Sequence, residues 1–110
     1  MPSTFIRLIK FLPAVAILFI LAAPAHAQEG GALFKAKCAP CHGPDGKGQT
    51  SMGKMLKARD LGSADVQKET DAQMTGIIDD GKGKMPGYKG KLTDAQISDL
   101  VKYIRTLKAK

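Results

Sequence analysis

Apolar positions recur at helical spacing near the end of the chain. In "TDAQISDLVKYIRTLKAK", Ile97, Leu100, Val101, Ile104 and Leu107 follow the i, i+3, i+4, i+7 rhythm of a helix that buries one face. Thr93 with Gln96 three residues later forms a capping-box pattern. Asp94 falls in the first turn and Lys108 in the last, as the helix dipole favours. The same start recurs over residues 70–81, "TDAQMTGIIDDG". There Thr70 and Gln73 make the box, Met74, Ile77 and Ile78 share a face, and Gly81 can stop the helix. Upstream, "GGALFKAKCAP" predicts a short helix with Leu33 and Phe34 as its apolar contacts and Pro40 near its end. "HGPDGKGQTSMGK" predicts a glycine-rich loop, with a short turn of helix around residues 53–58. No segment alternates β-branched and aromatic residues, so no sheet is predicted. The pattern gives an all-α domain of three main helices and long loops.

The first 27 residues break this pattern. Arg7 and Lys10 precede an almost unbroken apolar run over residues 11–23, and Ala25-His26-Ala27 is a small-x-small cleavage site. This is the layout of a secretory signal peptide. An uncleaved anchor fits less well, because the run is short for a span of ~20 residues and Pro13 and Pro24 interrupt it. The expectation is cleavage after Ala27, leaving residues 28–110 as a single domain. That cut removes two of the 17 basic residues and none of the 10 acidic ones, so the net charge falls from +7 to +5. His42 becomes the only histidine.

A domain this small has a marginal core and commonly needs a disulfide, metal or cofactor. All 12 glycines lie after the cut, there is no Trp, and Phe34, Tyr88 and Tyr103 are the aromatics left. A large bound group would supply missing core.

Residues 35–46, "KAKCAPCHGPDG", hold both cysteines and His42. A dithiol redox pair suits an exported protein, but that chemistry usually rides on a βαβ scaffold and no strand is predicted. Structural zinc wants four ligands, and Cys38, Cys41 and His42 give at most three. A Cys38–Cys41 disulfide would close a tiny loop and constrain little. Cys-x-x-Cys-His is also the attachment signature of c-type haem. Two intervening residues let both sulfurs reach one edge of the ring, and His42 brings an imidazole to the iron. This reading supplies the core and fits an exported chain. Cys38 and Cys41 are therefore expected to carry one covalent haem c, with His42 as proximal iron ligand.

No second histidine remains for the distal face. Met74 reads as core beside Ile77 and Ile78, and Met52 and Met55 read as partly buried loop residues. Met85 lies in "DDGKGKMPGYKGKLT", where Pro86 favours an extended backbone and the glycines allow close approach to a flat ring. Its thioether is a soft ligand that favours ferrous iron. Met85 is the expected distal ligand.

With "GGALFKAKCAPCHGPDGKG", "KMPGY" and "TDAQISDLVKYIRTL" in place, the chain resembles a class I c-type cytochrome of the small, single-haem bacterial kind, over about residues 29–109. The resemblance implies loops wrapped around the haem. It also implies a crossing of first and last helices in which Gly30 and Phe34 meet Tyr103. In that family a loop proline carbonyl commonly orients the proximal histidine. "GQTSMGK" has no proline, so the group that orients His42 is an open question. Arg59 is a candidate contact for a haem propionate, with a solvated arginine as the alternative.

Lysines cluster around both ligand segments. Residues 30–57 carry five lysines and one aspartate, residues 82–91 four lysines and no acid, and residues 60–80 six acids and one lysine. A lysine ring at the haem edge with the acids elsewhere would suit docking to acidic redox proteins. The plainer reading is solubility. Nucleic acid is disfavoured, since 13 of the 15 basic residues after the cut are lysine and aromatics are few. The resemblance implies a periplasmic, non-enzymatic single-electron carrier, a monomer working between a quinol-oxidising complex and a terminal oxidase or reductase. The competing reading is an open iron that binds a small gas or peroxide.

Overall fold

The computed structural model describes residues 25–109. Most of the expected leader lies outside them. Helix α1 (Ala25–Leu33) runs into a π-helical segment (Phe34–Cys38) and on into α2 (Ala39–His42). After a series of turns come α3 (Ser51–Leu56), α4 (Ala64–Gln67), α5 (Asp71–Asp80) and α6 (Asp94–Thr106). Among the described residues the only β-pairing is two isolated bridges, Lys82 with Met85 and Lys89 with Leu92.

The two strongest helices form where local sequence specifies them. In α5 the Thr70 side chain accepts from the Gln73 N–H while Gln73 reaches back to the Thr70 N–H, and in α6 Thr93 and Gln96 do the same. The last turn of α6 holds Arg105, and the helix ends before Lys108. Ser63 caps α4, a turn that the sequence pattern did not indicate. Thr50 caps α3, which begins two residues earlier than the turn expected at 53–58.

The first helix departs most from expectation. Pro40 does not end it but falls in the first turn of α2, where a missing N–H is tolerated. The Ala39 N–H reaches back to the Phe34 carbonyl, a π-type bond. This wider turn lets the helix continue through the proline to His42, as π-bulges often do at functional sites.

The core gathers Phe34, Leu61, Val66, Met74, Ile78, Ile97, Leu100, Val101 and Ile104. α1 crosses α6 at Gly30, where any Cβ would collide with the Asp99 carbonyl. The Phe34 and Tyr103 rings pack with centroids 5.1 Å apart, tilted by 45°. Asp99 is buried on this crossing, with its carboxylate 3.1 Å from Nδ1 of His26. His26 belongs to the segment expected to leave with the signal peptide.

Candidate haem-binding site

A cavity of about 340 Å³ opens between the π segment and α2, the 56–61 stretch, α5 and the 82–88 loop. Phe34, Leu56, Leu61, Val66, Met74, Ile77, Ile78 and Ile104 give it apolar walls. Cys38, Cys41, His42, Arg59 and Met85, the five residues singled out from the sequence, all line it. The two thiols are free rather than disulfide-bonded. Burial, and then the neighbouring Cys41, push the Cys38 thiol up to about 11, so it is neutral at pH 7 and not an activated redox nucleophile. Among the described residues, the group of His, Cys and acidic side chains that converges within 4.8 Å is His26, Glu29 and Asp99, with neither cysteine in it. That disfavours structural zinc at Cys38, Cys41 and His42. An apolar cavity walled by two unpaired thiols and an imidazole fits a covalently held porphyrin.

The geometry answers what orients His42. Its Nδ1 donates to the main-chain carbonyl of Arg59 at 3.2 Å, which leaves Nε2 free. Burial is the main influence holding the His42 pKa below 6.5; the bond to Arg59 acts against it and the Arg59 charge acts with it. The ring is therefore neutral at pH 7, the form that ligates metal. The Arg59 side chain is neither free in solvent nor unpaired. Its two terminal nitrogens grip Glu69 at 2.8 and 3.3 Å.

Met85 sits in a tight turn closed by paired main-chain bonds with Lys82, at 3.0 and 3.2 Å. The turn is anchored downstream, where the Tyr88 and Lys89 N–H groups donate to Ile78 and Asp79 at the end of α5. Gly87 permits this anchoring, since a Cβ there would lie 2.6 Å from the Asp79 carbonyl. At least this loop glycine thus serves packing on α5 rather than approach to a ring. Tyr88 adds a tie to the first helix by donating from its hydroxyl to the Lys37 carbonyl at 3.2 Å. Met74 is core, as its face predicts, and also lines the cavity. Met52 and Met55, expected as partly buried loop residues, lie on α3 and are 48% and 70% exposed.

Lys37, Lys57, Lys82 and Lys84 line the cavity, in keeping with a basic surround. One acid breaks the expected segregation, because Glu69 lines it too. Charge counting along the chain placed Glu69 in the acidic stretch and gave no sign of this role.

A family model described as cytochrome C oxidase, cbb3-type, subunit III matches residues 25–104. Cytochrome c6 of Leptolyngbya boryana is 39% identical over 80 residues, which cover 73% of this chain and 91% of that protein. The chain belongs to the class I c-type cytochromes. Like other c-type cytochromes it carries covalently bound haem c and serves electron transport. A solved c-type cytochrome, KustC0563, superposes with a TM-score of 0.68 at 34% identity, over 73% of this chain and 98% of that one. The cytochrome is therefore all-α, with the small cytochrome c fold. The cbb3-type oxidase subunit FixPc of Rhizobium leguminosarum bv. viciae is 34% identical over 86 residues, covering 76% of this cytochrome but 29% of that subunit. Among the described residues, no helix of the cytochrome is long and apolar enough to cross a membrane.

Proposed function

We propose that the chain is a periplasmic single-electron carrier in which Cys38 and Cys41 form thioethers to haem, His42 binds the iron on the proximal face and Met85 on the distal face. One observation carries the reading: these four side chains line a single apolar cavity. When bound, haem supplies a one-electron ferric/ferrous couple. His42 offers Nε2 while the Arg59 carbonyl holds Nδ1–H. The Met85 thioether favours the ferrous state and raises the potential. With His42 and Met85 both on the iron, no place would remain for a substrate at the metal, and among the described residues no second imidazole lines the cavity for acid–base work. Arg59, steadied by Glu69, keeps its remaining N–H donors for a haem propionate.

Residues 1–27 act as a cleavable signal peptide, and residues 28–110 work as a monomeric domain in the periplasm. The lysines at the cavity favour weak, rapid docking to acidic surfaces, with a quinol-oxidising complex as donor and a terminal oxidase or reductase as acceptor. The likeness to an oxidase subunit supports the second of these. The test is the absorption spectrum of the mature protein, oxidised and reduced, with and without carbon monoxide. A c-type spectrum indifferent to carbon monoxide is expected. A shift on adding carbon monoxide would replace electron transfer at a closed iron with ligand binding at an open one.

A further inference from the structure

The carbonyl that orients His42 is not fixed by secondary structure. Arg59 lies in the irregular stretch between α3 and α4. Among the described residues, neither its N–H nor its carbonyl bonds to another main-chain group. The chain is pinned on either side, by the Ala58 N–H to the Gly53 carbonyl and the Leu61 N–H to the Gly46 carbonyl, and at Arg59 itself the hold comes from the side chain, forked onto the Glu69 carboxylate at 2.8 and 3.3 Å. Glu69 is held in turn. Its carbonyl accepts from Nη2 of Arg105 at 2.6 Å. The same guanidinium donates to the Gln67 carbonyl at 2.8 Å and to the Asp71 carboxylate from Nε at 3.0 Å and Nη2 at 2.8 Å. Arg105 belongs to the last turn of α6, so the α4–α5 link is clamped to the terminal helix.

We infer that Glu69 and Arg105 are positioning residues for the His42 imidazole, forming a clamp that runs from α6 through Glu69 to Arg59 and so to Nδ1. The inference rests on the reading of His42 as the iron ligand. Planar, bidentate arginine–carboxylate pairs fix orientation as well as charge. The carbonyl at the end of the clamp sets the imidazole tautomer and its basicity. A firm Nδ1–H bond makes the ring a stronger donor to ferric iron and lowers the potential. A slack one raises it.

The alternative is that Glu69 and Arg59 act only as charges beside the haem. The two roles separate by sign. Removing an anion raises the potential and removing a cation lowers it, so a pure charge effect drives Glu69→Gln and Arg59→Gln in opposite directions. Loss of positioning drives both upward. Arg59→Gln keeps the carbonyl but not the fork. Glu69→Asp keeps the charge but draws the carboxylate back from Arg59.

The experiment uses the mature, haem-loaded protein and these variants, with Arg105→Lys as a milder probe of the α6 end. Hydrogen exchange of the His42 Nδ1–H is followed by NMR in the ferrous state, together with the reduction potential. Each single variant should exchange on the order of tenfold faster, the change that losing one charge-assisted hydrogen bond makes in a local opening equilibrium. The Arg59→Gln/Glu69→Gln double should exchange no faster than the worse single, because both break one clamp. Glu69→Asp should raise the potential although no charge is lost. Unaltered exchange in all variants, or potentials moving oppositely in Arg59→Gln and Glu69→Gln, would overturn the clamp. If the His42 ring protons of the ferric parent protein show no hyperfine shift, the iron-ligand reading itself fails, and the clamp with it.

Discussion

Thr50 is the most economical test of how the cytochrome builds the cavity wall that carries Cys41 and His42. Its hydroxyl oxygen accepts from the Gly53 N–H at 2.9 Å as the N-cap of α3. The same hydroxyl lies 2.9 Å from both the Pro40 and Cys41 carbonyls, to which it donates. One side chain thus caps a helix and ties it to the segment that carries Cys38, Cys41 and His42. Thr50→Val keeps the shape and deletes both functions. Loss of an N-cap costs about 1 kcal/mol, and loss of the donated bond at a half-buried carbonyl about 1 kcal/mol more. Together they come to about 2 kcal/mol, a large fraction of the roughly 5–15 kcal/mol that holds a domain folded. Guanidinium unfolding of the haem-loaded protein should show a lowered midpoint with an unchanged slope. Thr50→Ser keeps the oxygen and should lose less than about 1 kcal/mol, the scale of one methyl. The reasoning fails if Val costs under about 0.5 kcal/mol, or if Ser costs as much as Val.

Met85→Ala should leave haem attached, lower the potential and open the iron to carbon monoxide; unchanged potential and ligand binding would remove Met85 from the axial role. Gly30→Ala should destabilise by about 1–3 kcal/mol, since its methyl would meet the Asp99 carbonyl at the α1–α6 crossing, measured by the same unfolding assay. Electron transfer to an acidic redox partner should slow as salt rises, and Lys82→Glu with Lys84→Glu should weaken that dependence; a salt-independent rate would leave the lysines a solubility role.

The parts that were legible in the sequence are those that local chemistry decides. The caps at Thr70 and Thr93 sit three residues from their partners, so α5 and α6 could be read directly, and the Cys-x-x-Cys-His run and Met85 reach one cavity as expected. The methionines of α3 show where local reading stops. Met52 and Met55 looked apolar enough to be partly buried, but Gly53 is the residue that faces the Cys41 carbonyl. Packing a glycine against that main chain leaves Leu56, one turn on, to line the cavity and turns both methionines toward solvent. The π turn before Pro40 was hidden for a related reason. Whether an N–H reaches back four residues or five depends on how the turn packs, and composition carries little of that.

The missing loop proline is the most instructive case. The group that orients His42 proved to be a main-chain carbonyl, and every residue has one, so no residue type could have marked it. A proline in that place would narrow its own backbone by locking φ, with no need of a side-chain contact. Here the same function falls to Arg59, whose own N–H and carbonyl make no main-chain bond among the described residues and whose side chain reaches ten positions along the chain to Glu69. Glu69 depends on Arg105, 36 positions further. A covalent constraint within one residue has been exchanged for two charge-assisted contacts across the fold. Such contacts are individually weaker than a ring closure and can be altered by substitution without touching the haem motif. On the proposed ligation, substitutions at Arg105 on the last helix should therefore shift the potential while Cys38, Cys41 and His42 stay as they are.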